Sequence, residues 1–379
     1  MSGSVCSDVK PNVGSLILPL RKENDGFRIP APALHALVTA MLARAGVPEA
    51  DSIIVADGLV SADARGMNSH GMLRLPVYIT RLLEGGFAKT AKFEIVSETP
   101  GTALVDGGNG LGSVLTTKAM DLAIEKAGSN GCGVVVVRNS NHNGEGAPYV
   151  LRAVRQDMIG LATTNGSAIM PVWGGRVPMT GPLPLTFGVP AGEELPIVLD
   201  AALGMSSRGK ILYHAEKKLP IPDGWLVDAE GRPTNDPEWV RKGGWILPIG
   251  GHKGWGLILM CELLTGFLSG GSIARETTNL YDHLNEGQHN SHFCMAINIK
   301  SFIDPGFFKQ RVDAYIREVK RSEKAPGFAE ILMPGEIEFR KEKRQRAEGI
   351  LLTKSVIEDV IASAESLGIT VERTDGASP

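Results

Sequence analysis

The sequence predicts a mixed α/β protein of the α+β type, with a helical N-terminal part followed by a sheet domain. Three observations carry this. Apolar residues recur at helical spacing from Leu34 to Val60. From Thr102 onward, short runs rich in Val, Ile and Thr, such as G-V-V-V-V-R over residues 133–138, alternate with helix-like stretches. The nearest approach to a dinucleotide fingerprint, G-G-N-G-L-G over residues 107–112, has no acidic residue closing a following strand at the usual distance, so it reads as a turn.

Residues 1–26 read as a loose extension, and the fold proper begins at Phe27-Arg28-Ile29-Pro30. Leu34, Leu37, Val38, Met41 and Leu42 line one face of a first helix that stops at Gly46. Ile53, Ile54, Ala56, Leu59 and Val60 mark a second, begun near Pro48. Gly66 and Asn68-Ser69 break it, and Ser69 is a good N-cap for a third helix ending at Gly85-Gly86. This helical part covers residues 27–100. The sheet domain covers 101–310, with strands at 102–106, 133–138, 159–164, 185–189, 196–200 and 293–299. Between them lie helices at 115–127, 148–156, 206–217 and 250–268, and a loop-rich excursion over 221–245. A helical segment over 311–370 closes the fold; its basic run at 341–346 reads as a solvated face leading into a final helix.

The 379 residues are 43% hydrophobic and 21% charged, which suits a globular enzyme of one large or two ordinary domains. A net charge of −3 offers nothing to nucleic acid or to an anionic membrane, and the apolar runs are too short to span a bilayer. The run at 13–20 has neither a basic start nor a cleavage site, so no signal peptide is expected. Cys6, Cys132, Cys261 and Cys294 form no CxxC pair, so a reducing cytoplasm is the expected compartment.

Two stretches carry chemistry. In residues 62–76, A-D-A-R-G-M-N-S-H-G-M-L-R-L-P, His70 and Arg74 lie one helical turn apart. An imidazole can exchange a proton near neutrality, and a guanidinium fork grips a carboxylate. That pairing suits an enzyme of small keto or hydroxy acids; a capped surface helix with a structural histidine also fits the stretch alone. In residues 139–146, N-S-N-H-N-G-E-G, His142 stands between a buried strand and a helix, where backbone amides can hold phosphates. The plainer reading is a hydrogen-bonded loop histidine. His283, His289 and His292, with Asp282 and Glu286, match no closed metal site, so no metal is expected. Ser69, His70 and Asp63 do not make a hydrolase triad, because adjacent residues rarely bring a serine oxygen to the neighbouring imidazole and no GxSxG elbow exists.

With these residues the chain resembles the malate/L-lactate/ureidoglycolate dehydrogenase family, which includes delta-1-piperideine-2-carboxylate and 2,3-diketo-L-gulonate reductases. The resemblance runs from about Phe27 to Leu352. It rests on D-A-R-G-M-N-S-H-G-M-L-R-L-P, V-R-N-S-N-H-N-G, V-L-D-A-A ending at Ala202, I-P-D-G-W-L-V-D-A-E-G-R-P-T-N-D-P, P-I-G-G-H-K-G-W-G-L and M-P-G-E at Glu336, in the family's order. It implies a non-Rossmann fold with a large central, mainly antiparallel sheet flanked by helices, the segment 311–370 returning to the N-terminal part, and a homodimer. It also implies an NAD- or NADP-dependent oxidoreductase of a small 2-keto/2-hydroxy acid or a cyclic imino acid.

By the same resemblance His70 is the proton donor or acceptor, and Arg74 with Ser69 holds the substrate carboxylate. His142 lies beside nicotinamide and substrate, and some members are assigned their acid/base there. Cofactor contacts are implied at His142-Asn143-Gly144, Asn165, Asp200-Ala201-Ala202, His252-Lys253 and Pro334-Gly335-Glu336. The alternative is a catalytically silent relative serving as a metabolite-binding or structural dimer; retention of His70, Arg74, His142 and Lys253 speaks against it. Two departures stand out. Asn143 follows His142 where an aromatic is usual, and Gly181-Pro182-Leu183-Pro184 replaces G-T-N-P. The second predicts an apolar pocket wall, with poor turnover of oxaloacetate and better turnover of a bulkier, less polar acid.

Overall fold

A computed structural model describes residues 14–375; Cys6 lies outside them. The chain opens with β1 (Ser15–Glu23), β2 (Gly26–Ile29), α1 (Ala31–Arg44), α2 (Glu49–Ala64) and α3 (Leu75–Glu84). Next come β3 (Glu94–Glu98), β4 (Thr102–Asp106), α4 (Gly112–Asn130), β5 (Cys132–Ser140), α5 (Ala147–Val154) and β6 (Met158–Thr164). A short pair, β7 (Met170–Pro171) and β8 (Pro178–Thr180), precedes β9 (Pro184–Val189), β10 (Ile197–Ala202) and α6 (Arg208–Glu216). Then follow β11 (Leu226–Val227), β12 (Pro233–Thr234), β13 (Trp245–Ile246), α7 (His252–Glu262) and β14 (Asn290–Asn298). The chain closes with α8 (Pro305–Arg321), α9 (Glu336–Glu348), β15 (Ile350–Thr353), α10 (Lys354–Ser366) and β16 (Thr370–Asp375). No helix among the described residues is long and apolar enough to cross a membrane.

Residues up to Glu84, with those from Arg340 on, form one compact unit; Gly85–Phe339 form the other. In the first, the periodic face of α1 (Leu34, Leu37, Val38, Met41, Leu42) is buried as the spacing predicts. Beside the helices lies a four-stranded sheet of order β15-β2-β1-β16. Residues 15–23 are therefore a strand, not part of a loose extension. Leu18 and Leu20 point inward while Ile17 is exposed, a period of two. β1 pairs in parallel with β16 (Leu18 opposite Arg373), a partner some 350 positions away that no local pattern announces. The basic run at 341–346 lies within α9, mostly exposed.

The second unit is built on a seven-stranded sheet of order β10-β9-β6-β14-β5-β4-β3, antiparallel at every pairing except β4 with β5. β14, the strand latest in sequence, lies at the centre between β5 and β6. Its Cys294 and Ala296 pack with Val135 and Val137 of β5 and with Ala119, Met120 and Ala123 of α4 in one buried cluster. Each such valine contributes roughly 1.5–3 kcal/mol by leaving water. The excursion over 221–245 holds the small sheet β12-β11-β13. There Asp228 accepts the amides of Glu230 and Arg232, closing the D-A-E-G-R turn.

Candidate active site

In the first unit, α2 ends at Ala64 and Gly66, at φ +82°, turns the chain. The helix predicted from Ser69 is replaced by two 3-10 turns, Asn68–His70 and Met72–Arg74, before α3 begins at Leu75. Gly71 between them is non-helical at φ −92°, ψ −140°, and the Ser69 hydroxyl does not cap a helix but meets His70 Nδ1 at 2.9 Å. Arg74 Nε donates to the Ser69 carbonyl at 2.7 Å, which fixes the guanidinium plane on the same double turn as the imidazole. Burial first, and the Arg74 charge second, pull His70 down to about 4, so its half-buried ring is neutral at pH 7. Beneath the turn lies Asp63, 1% exposed, whose carboxyl burial lifts to about 6 against the opposing pull of its bonds to Met72 and Asn68.

In the second unit, the G-G-N-G-L-G stretch is the turn expected, and it supports the His142 loop. Gly107 and Asn109 donate to the carbonyls of Arg138 and Asn139, and the Asn141 side-chain amide reaches the carbonyls of Asn109 and Gly110. Gly112 approaches so closely that a Cβ there would stand 1.9 Å from the Asn141 carbonyl oxygen. The His142 amide donates to Gln288 Oε1, and Gln288 in turn donates its own amide to Asn141 Oδ1. Asn143 is buried, its carbonyl accepting from the Tyr149 hydroxyl and its amide reaching Thr116. At the loop's end Asp200 Oδ2 accepts the amides of Gly146 and Ala147 at 2.9 and 2.8 Å, capping α5, while Oδ1 accepts the Thr186 hydroxyl at 2.9 Å.

Around β10 the structure gathers most of the expected cofactor residues. Val198 donates its amide to the Pro334 carbonyl at 3.0 Å, and Gly335, at φ +86°, lies against Val198. Glu336 bonds Lys320 at 2.8 Å and the Met333 amide at 3.1 Å, holding the start of α9. Past Ala202, the Leu203 carbonyl accepts from Ile249, which brings Gly250-Gly251-His252-Lys253 beside the end of β10. Both glycines have positive φ (+62° and +66°), and His252 and Lys253 are exposed in the first turn of α7. A Cβ at Gly250 or at Gly144 would meet nothing within 4 Å. An exposed glycine with open space beside it and a lysine at a helix N-terminus fit the phosphates of a dinucleotide.

Asn165 is drawn in differently. It is 2% exposed, donating to the Ser272 carbonyl at 2.7 Å and accepting the Ser291 amide at 2.7 Å, so its side chain braces the sheet. Leu183 is 2% exposed, packed with Met170, Leu203, Ile258 and Cys261; the apolar wall predicted there is core, because the side chain faces inward. Of the three histidines weighed for metal, His283 and His289 sit in left-handed turns and His292 is wholly buried on β14. His292 meets Thr164 Oγ1 at 2.8 Å and Ser140 Oγ at 2.7 Å, and burial pushes it down to about 3. Sequence reasoning missed Gln288, His292 and Thr186 as supports; the loop partners of Gln288 and the strand partners of His292 lie more than 100 residues away in the chain, while Thr186 meets Asp200 across the β9-β10 hairpin.

A mainly antiparallel α/β sheet with a glycine-opened, lysine-bearing helix start fits a dinucleotide-binding protein built without a Rossmann unit. A profile of the family described as malate/L-lactate dehydrogenase matches residues 29–361. The malate dehydrogenase of Pyrococcus horikoshii is 37% identical over 350 residues, 90% of this chain and 96% of that one. The L-sulfolactate dehydrogenase of Methanocaldococcus jannaschii is 40% identical over 338 residues, 89% of this chain and 96% of that one. The solved structure of the M. jannaschii sulfolactate dehydrogenase superposes with a TM-score of 0.86 at 38% identity, covering 90% and 97% of the two chains. The chain belongs to the malate/L-lactate dehydrogenase family, and it is an NAD(P)-dependent dehydrogenase.

Proposed function

We propose that this enzyme catalyses hydride transfer between NAD(P) and C2 of a small 2-keto/2-hydroxy acid, with a cyclic imino acid as the other substrate class. The observation that carries the reading is the double turn that fixes an imidazole and a guanidinium on one backbone segment, tied by the 2.7 Å bond from Arg74 to Ser69. Bound, the nicotinamide supplies or accepts the hydride. Arg74, with Ser69, grips the substrate carboxylate, and His70 gives a proton to the C2 oxygen or nitrogen in reduction and takes it back in oxidation. A carboxylate docked on Arg74 offsets the charge that helps hold His70 down, so substrate binding raises the imidazole towards the range in which it can donate. The His142 loop, Asp200-Ala201-Ala202, His252-Lys253 and Pro334-Gly335-Glu336 hold the dinucleotide, Asp200 doing so through the loop it caps.

A homodimer is part of the reading. Leu257, Met260, Leu263 and Phe267 form an exposed apolar stripe along α7 and its continuation, 39–53% exposed, of the kind a subunit interface covers. The thiols of Cys132, Cys261 and Cys294 suit a reducing cytoplasm.

The test is absorbance at the reduced-nicotinamide band over a panel of keto and imino acids, with NADH and NADPH. His70→Ala should lose about 10²–10⁴-fold in kcat with cofactor Kd unchanged, and Arg74→Lys should raise KM for every carboxylate because a point charge replaces a fork. Turnover of His70→Ala near wild type would move the proton role to His142.

A further inference from the structure

Asp63 is buried in the last turn of α2 and has no place in the mechanism so far. Its Oδ1 accepts the Asn68 side-chain amide at 2.9 Å and its Oδ2 accepts the Met72 backbone amide at 2.6 Å. Those donors are the first residues of the two 3-10 turns, on either side of Ser69-His70-Gly71. Gly71 rests directly on the carboxylate; a Cβ there would lie 2.2 Å from Oδ2. One side chain thus pins both turns and supports the residue between them. We propose that Asp63 is a positioning residue for the reaction, its carboxylate setting the spacing of His70 and Arg74 without touching substrate or cofactor. This rests on the roles given to His70 and Arg74 above.

The chemistry calls for a carboxylate in particular. It is an acceptor at both oxygens, and both donors here are N–H groups. A carboxamide keeps the shape but presents one N–H towards a donor, so one of the two bonds must be remade. Asp63 and Asn68 border a cavity of about 380 Å³ that Asp25, Leu352 and Val356 also line. A shift of the turn on the order of 1 Å is enough to lower turnover by up to about 100-fold.

The experiment is Asp63→Asn in the full chain, alone and combined with His70→Ala. Alone it should lower kcat/KM for the keto acid by about 10- to 100-fold, raise KM and leave cofactor Kd unchanged. In the His70→Ala background the loss in kcat should be small, because that part passes through the imidazole, whereas the rise in KM, which passes through Arg74, should remain. Wild-type kinetics for Asp63→Asn would overturn the proposal, as would an equal loss of kcat in both backgrounds, which marks a merely structural role. If Asp63→Asn does not fold, Asn68→Ala, which removes one of the two bonds, is judged by the same two criteria. Should His70→Ala and Arg74→Lys themselves be silent, the assigned roles fail; should they be damaging while Asp63→Asn is silent, only this inference fails.

Discussion

Gly112→Ala tests the link between close packing and function. The added Cβ would lie 1.9 Å from the Asn141 carbonyl oxygen and 2.6 Å from that of His142. An ordinary C···O contact is about 3.3 Å, so the two backbones must part by about 1.4 Å. Both acceptors are main-chain atoms, and no rotamer change can relieve the overlap. Overpacking of this kind costs roughly 1–3 kcal/mol, and the displacement falls on His142, proposed above as part of the dinucleotide site. A loss of about 10²-fold in kcat/KM is expected from a misplacement near 1 Å. The control lies on the same helix, since a Cβ at Gly128 would meet nothing within 4 Å. Gly128→Ala should stabilise by about 0.5–1 kcal/mol and leave kinetics alone. The assays are thermal unfolding and steady-state kinetics on both variants. Gly112→Ala with wild-type kcat/KM would refute the placement of the His142 loop in the site.

His292→Leu removes the partner of the Ser140 and Thr164 hydroxyls and should destabilise by about 2–4 kcal/mol. The same histidine governs acid stability. His292, pushed to about 3, and His70, to about 4, are neutral in the fold but take up protons near 6.5 when unfolded. Their contribution is complete above about pH 6.5 and falls as pH drops towards the folded values, by up to about 1.4 kcal/mol per unit for each. Asp63, raised to about 6, runs the other way: its contribution is full below about 3.9 and is lost as pH rises through 6, offsetting one histidine between. Urea unfolding between pH 7 and 5 should therefore be flatter for His292→Leu than for wild type; equal slopes would contradict the buried neutral state. Asp200→Asn should weaken the cap of α5 by about 1–2 kcal/mol and loosen dinucleotide binding, both measurable by melting and by cofactor fluorescence; unchanged cofactor Kd would place the loop's anchor elsewhere.

The sequence by itself determined what depends on local periodicity and local turn chemistry. The face of α1, the buried run of β5 and the G-G-N-G-L-G turn were legible because a side chain's direction follows from its position along a helix or strand and a glycine cluster marks a turn. The helix expected at Ser69 was lost to Gly71 and to the Ser69–His70 contact, both present in the sequence but outweighed there by the capping pattern. Tertiary structure alone decided partners. That Leu183 fills a core, that Asn165 pairs with Ser291, and that Asp200 and Asp63 clamp the segments carrying His142 and His70 depend on which segments are brought alongside. A buried polar group must find a hydrogen-bond partner, but its identity is set by the sheet's strand order, and pairings such as β14 between β5 and β6 leave no mark on neighbouring residues.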